Sequence, residues 1–212
     1  MLQFRVLSVG TLAANPLWGE KAPTREGHAT TTLIEAGNRR IIVDPSLPAN
    51  ILQPRMQSRT PITCDAITDV FLTSRDPARF RGIALFPNAQ WWMAEKDREV
   101  LAQVAAEVPW VSRIHDAPDS LAPGVDLFPL PGVTGGTTGL LLAFPSTTIL
   151  ITGDAIATQE HLDQGRIVSP CESVEAAQES FREAIEIGDG FILGRDNFVL
   201  NPLRGTIGVQ PK

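Results

Sequence analysis

The sequence predicts an α/β sandwich, in which two β-sheets lie face to face and helices cover their outer faces. Short runs rich in β-branched residues recur through both halves of the 212-residue chain. Each half then ends in a segment whose apolar residues have helical spacing. No stretch rich in Pro, Gly or Ser is long enough to form a linker, so residues 1–212 are interpreted as a single domain.

The order of the predicted elements is similar in the two halves. Residues 94–107 and 174–187 form the predicted helices, the first ending before Pro109 and the second beginning after the N-cap candidate Ser173. An irregular tail is expected after residue 193. The predicted strands cover residues 4–9, 30–35, 40–43, 69–72, 83–86, 90–93, 125–130, 139–144, 147–152 and 191–193.

Composition excludes several classes of partner. The chain has 18 Lys and Arg against 24 Asp and Glu, and its formal net charge is −6. Without a basic block, it has no electrostatic reason to bind nucleic acid or an anionic membrane surface. Cys64 and Cys171 are too few and too far apart for a disulfide framework or a CxxC site. Because the N-terminal apolar stretch is interrupted by Arg5 and Gly10, we expect no signal peptide and a cytoplasmic protein.

Five polar blocks at predicted strand ends carry the functional signal, since loops on a rigid scaffold often hold active sites. They cover residues 41–47, 70–82, 130–136, 150–156 and 191–198. Their order and spacing resemble the metallo-β-lactamase superfamily over most of the chain. The matching residues are Leu72, Thr73 and Gly82 in the Leu-Thr-His-x-His-x-Asp-His-x-x-Gly block, Pro131, Gly132 and Thr134 in the Pro-Gly-His-Thr block, Gly153 and Asp154 in the Gly-Asp pair, and Gly194 in the last Pro-Gly-His block.

This resemblance implies an αββα four-layer sandwich of two mixed β-sheets flanked by helices. It also implies that Asp44 shapes the loop beneath the site. Of the seven positions that hold metal or orient water in the family, only Asp154 keeps its family identity. The other six positions hold Ser74, Asp76, Ala78, Arg79, Val133 and Arg195.

Zinc requires converging imidazole, thiolate or carboxylate donors, and this set lacks most of them. We therefore expect a degenerate, metal-free site without a cofactor or a catalytic residue, as in a pseudoenzyme. A buried Asp154 needs a charged partner. We predict that Arg79 and Arg195 balance the charge of Asp154 and Asp76, because a guanidinium is permanently charged and its planar fork matches a carboxylate.

The leading functional hypothesis is a small anionic ligand, a carboxylate or a phosphate, bound in the vestigial cleft through Arg75, Arg79 and Arg195. The predicted site consists of Asp44, Ser74, Arg75, Asp76, Arg79, Val133, Asp154 and Arg195.

Two alternatives remain open. The first is a hydrolase with an altered, mononuclear metal site built from Asp76, Asp154 and a third donor, either His161 or Asp196. The second is a non-catalytic interaction module, such as a homodimer, that presents apolar residues around Leu17-Trp18 and Trp91-Trp92. The histidines favour neither, because His28, His115 and His161 have no metal-ligand spacing among themselves.

Overall fold

The computed structural model describes residues 1–204, which form two six-stranded sheets packed face to face. The α/β sandwich predicted from the sequence is confirmed. None of the helices in this part of the chain has the length and apolar character needed to cross a membrane. The helices are α1 (Ala49–Arg59), α2 (Glu95–Val104), α3 (Gln159–Gln164) and α4 (Val174–Ile187).

The first sheet has the strand order β1-β2-β3-β4-β5-β6. Its first three strands pair antiparallel, and from β3 to β6 all neighbours are parallel. The strands are β1 (Leu2–Ser8), β2 (Thr31–Ala36), β3 (Arg39–Val43), β4 (Asp69–Leu72), β5 (Gln90–Met93) and β6 (Ile114–Asp116).

The second sheet has the strand order β12-β11-β10-β9-β8-β7. Only β10 and β11 pair parallel there, so both sheets are mixed. The strands are β7 (Ser120–Ala122), β8 (Val125–Pro129), β9 (Thr138–Phe144), β10 (Thr147–Gly153), β11 (Gly190–Leu193) and β12 (Phe198–Leu200).

Alternating side chains divide the interior into three apolar layers, which is the packing of a four-layer sandwich. In β4, Phe71 points into the layer between the sheets, whereas Val70 and Leu72 pack with residues of α1 and α2. In β10, Ile149 and Ile151 likewise enter the central layer. Leu150, Leu162, Ala184 and Phe191 form the outer layer with α3 and α4.

The structure corrects the sequence reading at several elements. The strand predicted over residues 83–86 is wrong, because Ile83–Leu85 forms a turn of 3-10 helix. Helix α1 was not predicted, since it contains Pro54 and buries only Leu52 and Met56. Strand β12 lies within the tail that was predicted to be irregular, and the rest of that tail, residues 205–212, lies outside the described residues.

Parallel pairing determines where the polar blocks meet. Strands β3 and β4 end at the same edge of the first sheet, and β10 and β11 end at the same edge of the second. The backbone N–H of Thr138 donates to the carbonyl of Thr73 at 2.9 Å and so joins the two sheets near this edge. The loops that follow these four strands therefore converge on one place between the sheets.

Candidate functional site

Asp44 is the first residue after β3 and lies beneath the site. It is 2% exposed, and its backbone has a positive φ of 47°, which is uncommon for a residue with a side chain. Its carboxylate accepts hydrogen bonds from the backbone N–H of Thr73 at 2.9 Å and from the Thr73 hydroxyl at 2.7 Å. These bonds tie the end of β3 to the end of β4.

Arg79 occupies the centre of the site and has no exposed surface. Its Nη1 lies 2.5 Å from Oδ2 of Asp44, and its Nη2 lies 2.5 Å from Oδ2 of Asp154. Within residues 1–204 its Nε and Nη2 make no hydrogen bond of good geometry, so the contact of Nη2 with Asp154 is an ion pair. The guanidinium therefore bridges a carboxylate of the first sheet and a carboxylate of the second.

Arg195, which follows β11, holds Asp154 from the other side. Its Nε and Nη2 each donate to one carboxylate oxygen of Asp154 at 2.9 Å, which is the two-pronged geometry that makes such pairs strong. The backbone brings the two loops close together. A side chain at Gly194 would place its first carbon 2.1 Å from the carbonyl oxygen of Gly153, so only glycine allows this approach.

Asp76 completes the ion-pair network at its rim. One oxygen of Asp76 accepts a hydrogen bond from the backbone N–H of Ala78 at 2.9 Å, and the other pairs with Nη2 of Arg195. The Asp76 side chain is 36% exposed, whereas the side chains of Asp44 and Asp154 are almost completely buried. We call Asp44, Asp76, Arg79, Asp154 and Arg195 the central network.

Burial opposes ionisation of Asp154, but Arg195 and Arg79 outweigh it and hold the pKa of Asp154 well below its usual range. The pKa of Arg195 is raised, because Asp154 and Asp76 outweigh the effect of its own burial. The pKa of Asp44 is raised by burial in spite of the opposing effects of Arg79 and Thr73. Asp154 is therefore charged at neutral pH and depends on both arginines.

A second network holds Arg75 away from the central one. The Arg75 backbone N–H donates to Asp97 at 2.8 Å, its Nη1 lies 2.5 Å from the other Asp97 oxygen, and its Nη2 pairs with Glu172. Asp97 is fully buried in the first turn of α2 and also accepts from Thr134 and Gly136. Sequence analysis missed Asp97, which is one of three carboxylates in the polar run Glu-Lys-Asp-Arg-Glu, and Glu172, because both lie outside the five polar blocks.

The structure thus brings five of the eight predicted site residues into one network and places the other three elsewhere. Arg75 belongs to the second network, and the Ser74 hydroxyl is buried beside the backbone N–H of Asp76 at 3.4 Å. Val133 is half-buried in the loop after β8, where its carbonyl accepts from the N–H of Glu172. The pairing of Arg79 and Arg195 with Asp154 and Asp76 is present as the sequence predicted.

The fold implies a zinc centre at this place, but the residues do not fit one. Two guanidinium groups already occupy both oxygens of Asp154, and an arginine side chain has no lone pair to offer a metal. Within residues 1–204, no group of three or more His, Cys, Asp or Glu side chains could hold a metal ion. Asp196, a donor in the mononuclear alternative, accepts instead from the backbone N–H groups of Gln159 and Asn197.

The apolar surface expected for an interaction module is only partly present. Trp18 is 52% exposed, with the Arg25 guanidinium 5.3 Å from its ring centre. Trp91 is buried in the first core layer, and Trp92 is half-buried and donates to Asp69 at 2.8 Å. A homodimer through this surface stays a prediction.

Comparison with known proteins identifies the fold. No family model matches the sequence, and neither does any curated protein. A structure from Thermotoga maritima named a "putative metallo-beta-lactamase" superimposes with a TM-score of 0.70 and 19% identity, covering 94% of this chain and 99% of that one. A quorum-quenching N-acyl homoserine lactone lactonase matches with a TM-score of 0.67 and 16% identity over 92% of this chain and 91% of its own.

A third match is a probable metal-dependent hydrolase from Staphylococcus aureus, with a TM-score of 0.68, 13% identity and coverage of 92% of this chain and 89% of the other. Because the matches extend over nearly the whole of both chains, the αββα fold that the sequence resemblance implied is confirmed.

Replacing Arg79 tests the central network. In Arg79→Leu, Asp44 loses the one arginine that pairs with it within residues 1–204 and Asp154 loses one of two, and we expect the free energy of unfolding at pH 7 to fall by about 3–5 kcal/mol. The matched control is Arg182→Leu, because the Arg182 side chain is 66% exposed and its ion pair is with the exposed Glu179. Its loss should stay within about 0.5 kcal/mol in urea unfolding. Equal stability of the two variants would contradict a structural role for the network.

The depressed pKa of Asp154 predicts a loss of stability in acid. Its contribution is fully present above its unfolded pKa of about 4 and is lost as pH falls toward the lower folded value. Urea unfolding between pH 6 and pH 2 should therefore show a shallower decline in Asp154→Asn than in the native protein, by at most about 1.4 kcal/mol per pH unit. Asp119→Asn, which changes an exposed carboxylate, should keep the native slope.

Proposed function

We propose that this chain, which has the metallo-β-lactamase fold, keeps an arginine–aspartate network where the fold implies zinc, and acts without zinc-dependent hydrolysis. One observation carries the proposal: both oxygens of Asp154, the family ligand position that the sequence retains, are bonded to arginines. In this proposal the protein is a binding protein of a hydrolase fold.

Electrostatics support this assignment. A cation at Asp154 would meet two permanent positive charges at hydrogen-bond distance, one of them on the fully buried Arg79. Removing Arg79 would leave the buried Asp44 without its arginine, and removing either arginine would leave Asp154 with one partner instead of two. The network is therefore self-consistent only without a metal at this position.

The ligand we propose is a small anion, a carboxylate or phosphate, that binds Arg195 in exchange for Asp76. Arg75, Arg79 and Arg195 are all paired with carboxylates, so an anion has to replace one of them. Asp76 is the exposed member of the central network, and its replacement would leave the bidentate pair of Arg195 and Asp154 intact. An incoming anion can therefore replace Asp76 at the rim more easily than the buried Asp44 or Asp154.

Metal content tests the first part of the proposal. Protein purified without chelators should contain less than about a tenth of an equivalent of zinc, iron or manganese by elemental analysis, because zinc needs three or four donors that converge. Added zinc should also leave the melting temperature unchanged. Near-stoichiometric metal that is lost in Asp154→Ala would instead support the alternative hypothesis of a hydrolase with a mononuclear metal site.

The exchange at Arg195 is tested with inorganic phosphate. Asp76→Asn removes the competing charge and keeps an oxygen that can accept from the N–H of Ala78. We expect phosphate to bind this variant about tenfold more tightly than the native protein, a difference of about 1.4 kcal/mol, in calorimetric titration. The control Asp119→Asn has the same change in net charge at an exposed site and should bind as the native protein does. Equal affinities in all three proteins would argue against exchange.

A further inference from the structure

A small cavity lies between the loop that follows β1 and the segment after α3. Its volume is about 190 Å³, which is the space of about six water molecules. Most of its wall is apolar, including Leu12, Pro16, Leu17 and Val168. His161 and Arg166 are also among the lining residues, so a histidine and an arginine stand beside the aliphatic wall.

The hydrogen bonds of His161 fix its tautomer. Nδ1 of His161 lies 2.8 Å from the hydroxyl oxygen of Thr158, and the same oxygen lies 2.7 Å from a carboxylate oxygen of Glu160. Thr158 has one hydroxyl proton, and the carboxylate, which can only accept, takes it. Nδ1 therefore carries a proton and donates to Thr158, which leaves Nε2 as an acceptor.

This acceptor has no hydrogen-bond partner among the described residues. His161 is only 4% exposed, and within residues 1–204 its Nε2 makes no hydrogen bond, although it is not among the fully enclosed polar atoms. Burial lowers the pKa of His161, so the ring is neutral at pH 7. A ligand group that donates a hydrogen bond would satisfy Nε2.

The backbone of Arg166 is held beside His161, and its guanidinium forms no ion pair within residues 1–204. Its backbone N–H donates to the carbonyl of His161 at 2.9 Å, while its side chain is exposed. The ion pairs formed within residues 1–204 do not include the Arg166 guanidinium. In this respect Arg166 differs from Arg75, Arg79 and Arg195, which are each paired with two carboxylates.

We infer that this cavity binds a short aliphatic hydroxy acid, whose carboxylate pairs with Arg166, whose hydroxyl donates to Nε2 of His161 and whose carbon chain contacts the apolar wall. The carboxylate, the hydroxyl and the carbon chain of the ligand each have a complementary group among the lining residues. The inference stands apart from the anion exchange proposed at Arg195, since it uses neither Asp76 nor Arg195.

Calorimetric titration with 3-hydroxybutyrate and 2-hydroxybutyrate, with butyrate as the matched acid without a hydroxyl, tests the inference. We expect one hydroxy acid to bind about tenfold more tightly than butyrate, because one hydrogen bond is added. Arg166→Ala should weaken that binding about tenfold or more. The control Arg5→Ala, which removes an exposed arginine of β1 outside the cavity, should bind as the native protein does.

His161 is tested in the native protein as well, because His161→Gln changes a buried residue and can affect folding. The chain has three histidines, so nitrogen-15 NMR can follow each ring separately. The hydroxy acid should shift the Nε2 resonance of His161 and leave His28 and His115 unchanged. Equal binding of butyrate, an unchanged His161 resonance, or full binding by Arg166→Ala would each overturn the assignment. In the Asp76→Asn variant, where a carboxylate can also bind Arg195, the His161 resonance should still respond at the same hydroxy-acid concentration as in the native protein, which separates the two sites.

Discussion

The structure depends on one buried carboxylate, Asp154, held between Arg79 and Arg195. A charge removed from water is stable only with partners in good geometry, and here both oxygens have one. Because Arg79 also pairs with Asp44, and Arg195 with Asp76, the same contact joins the loops after β3, β4, β10 and β11. Removing Asp154 or either arginine would leave an uncompensated charge between the sheets.

The fold explains why these residues meet at all. Parallel strands end at one edge of each sheet, and the face-to-face packing places the two edges side by side. Gly194 lies against the carbonyl of Gly153, which brings Arg195 within reach of Asp154. A scaffold that brings donors together around metal in other proteins of this fold therefore positions opposite charges just as well. Fold alone does not specify the chemistry.

The pairing of Asp154 and Asp76 with arginines could be predicted from the sequence, because these residues lie in the motifs that carry the resemblance, but the pairing of Arg79 with Asp44 was not predicted. Asp154 follows an apolar strand and needs a positive partner, and arginines stand at positions where the resemblance implies ligands. The partners of Arg75 could not be predicted, since neither Asp97 nor Glu172 lies in one of the five polar blocks. Helix α1 was missed for a different reason, because Pro54 interrupts a weakly amphipathic segment that tertiary packing nevertheless holds as a helix.

The charges already present distinguish the two places where we propose that an anion binds. In the central network, three carboxylates face two guanidinium groups, so an incoming anion gains attraction only by replacing the exposed Asp76. At the cavity, no carboxylate of residues 1–204 pairs with Arg166, and the neighbouring imidazole is a neutral acceptor. Binding at the rim of the network should therefore rise when Asp76 is neutralised, whereas binding in the cavity should depend on Arg166 and on the hydroxyl of the ligand. The two proposed sites therefore respond to different substitutions.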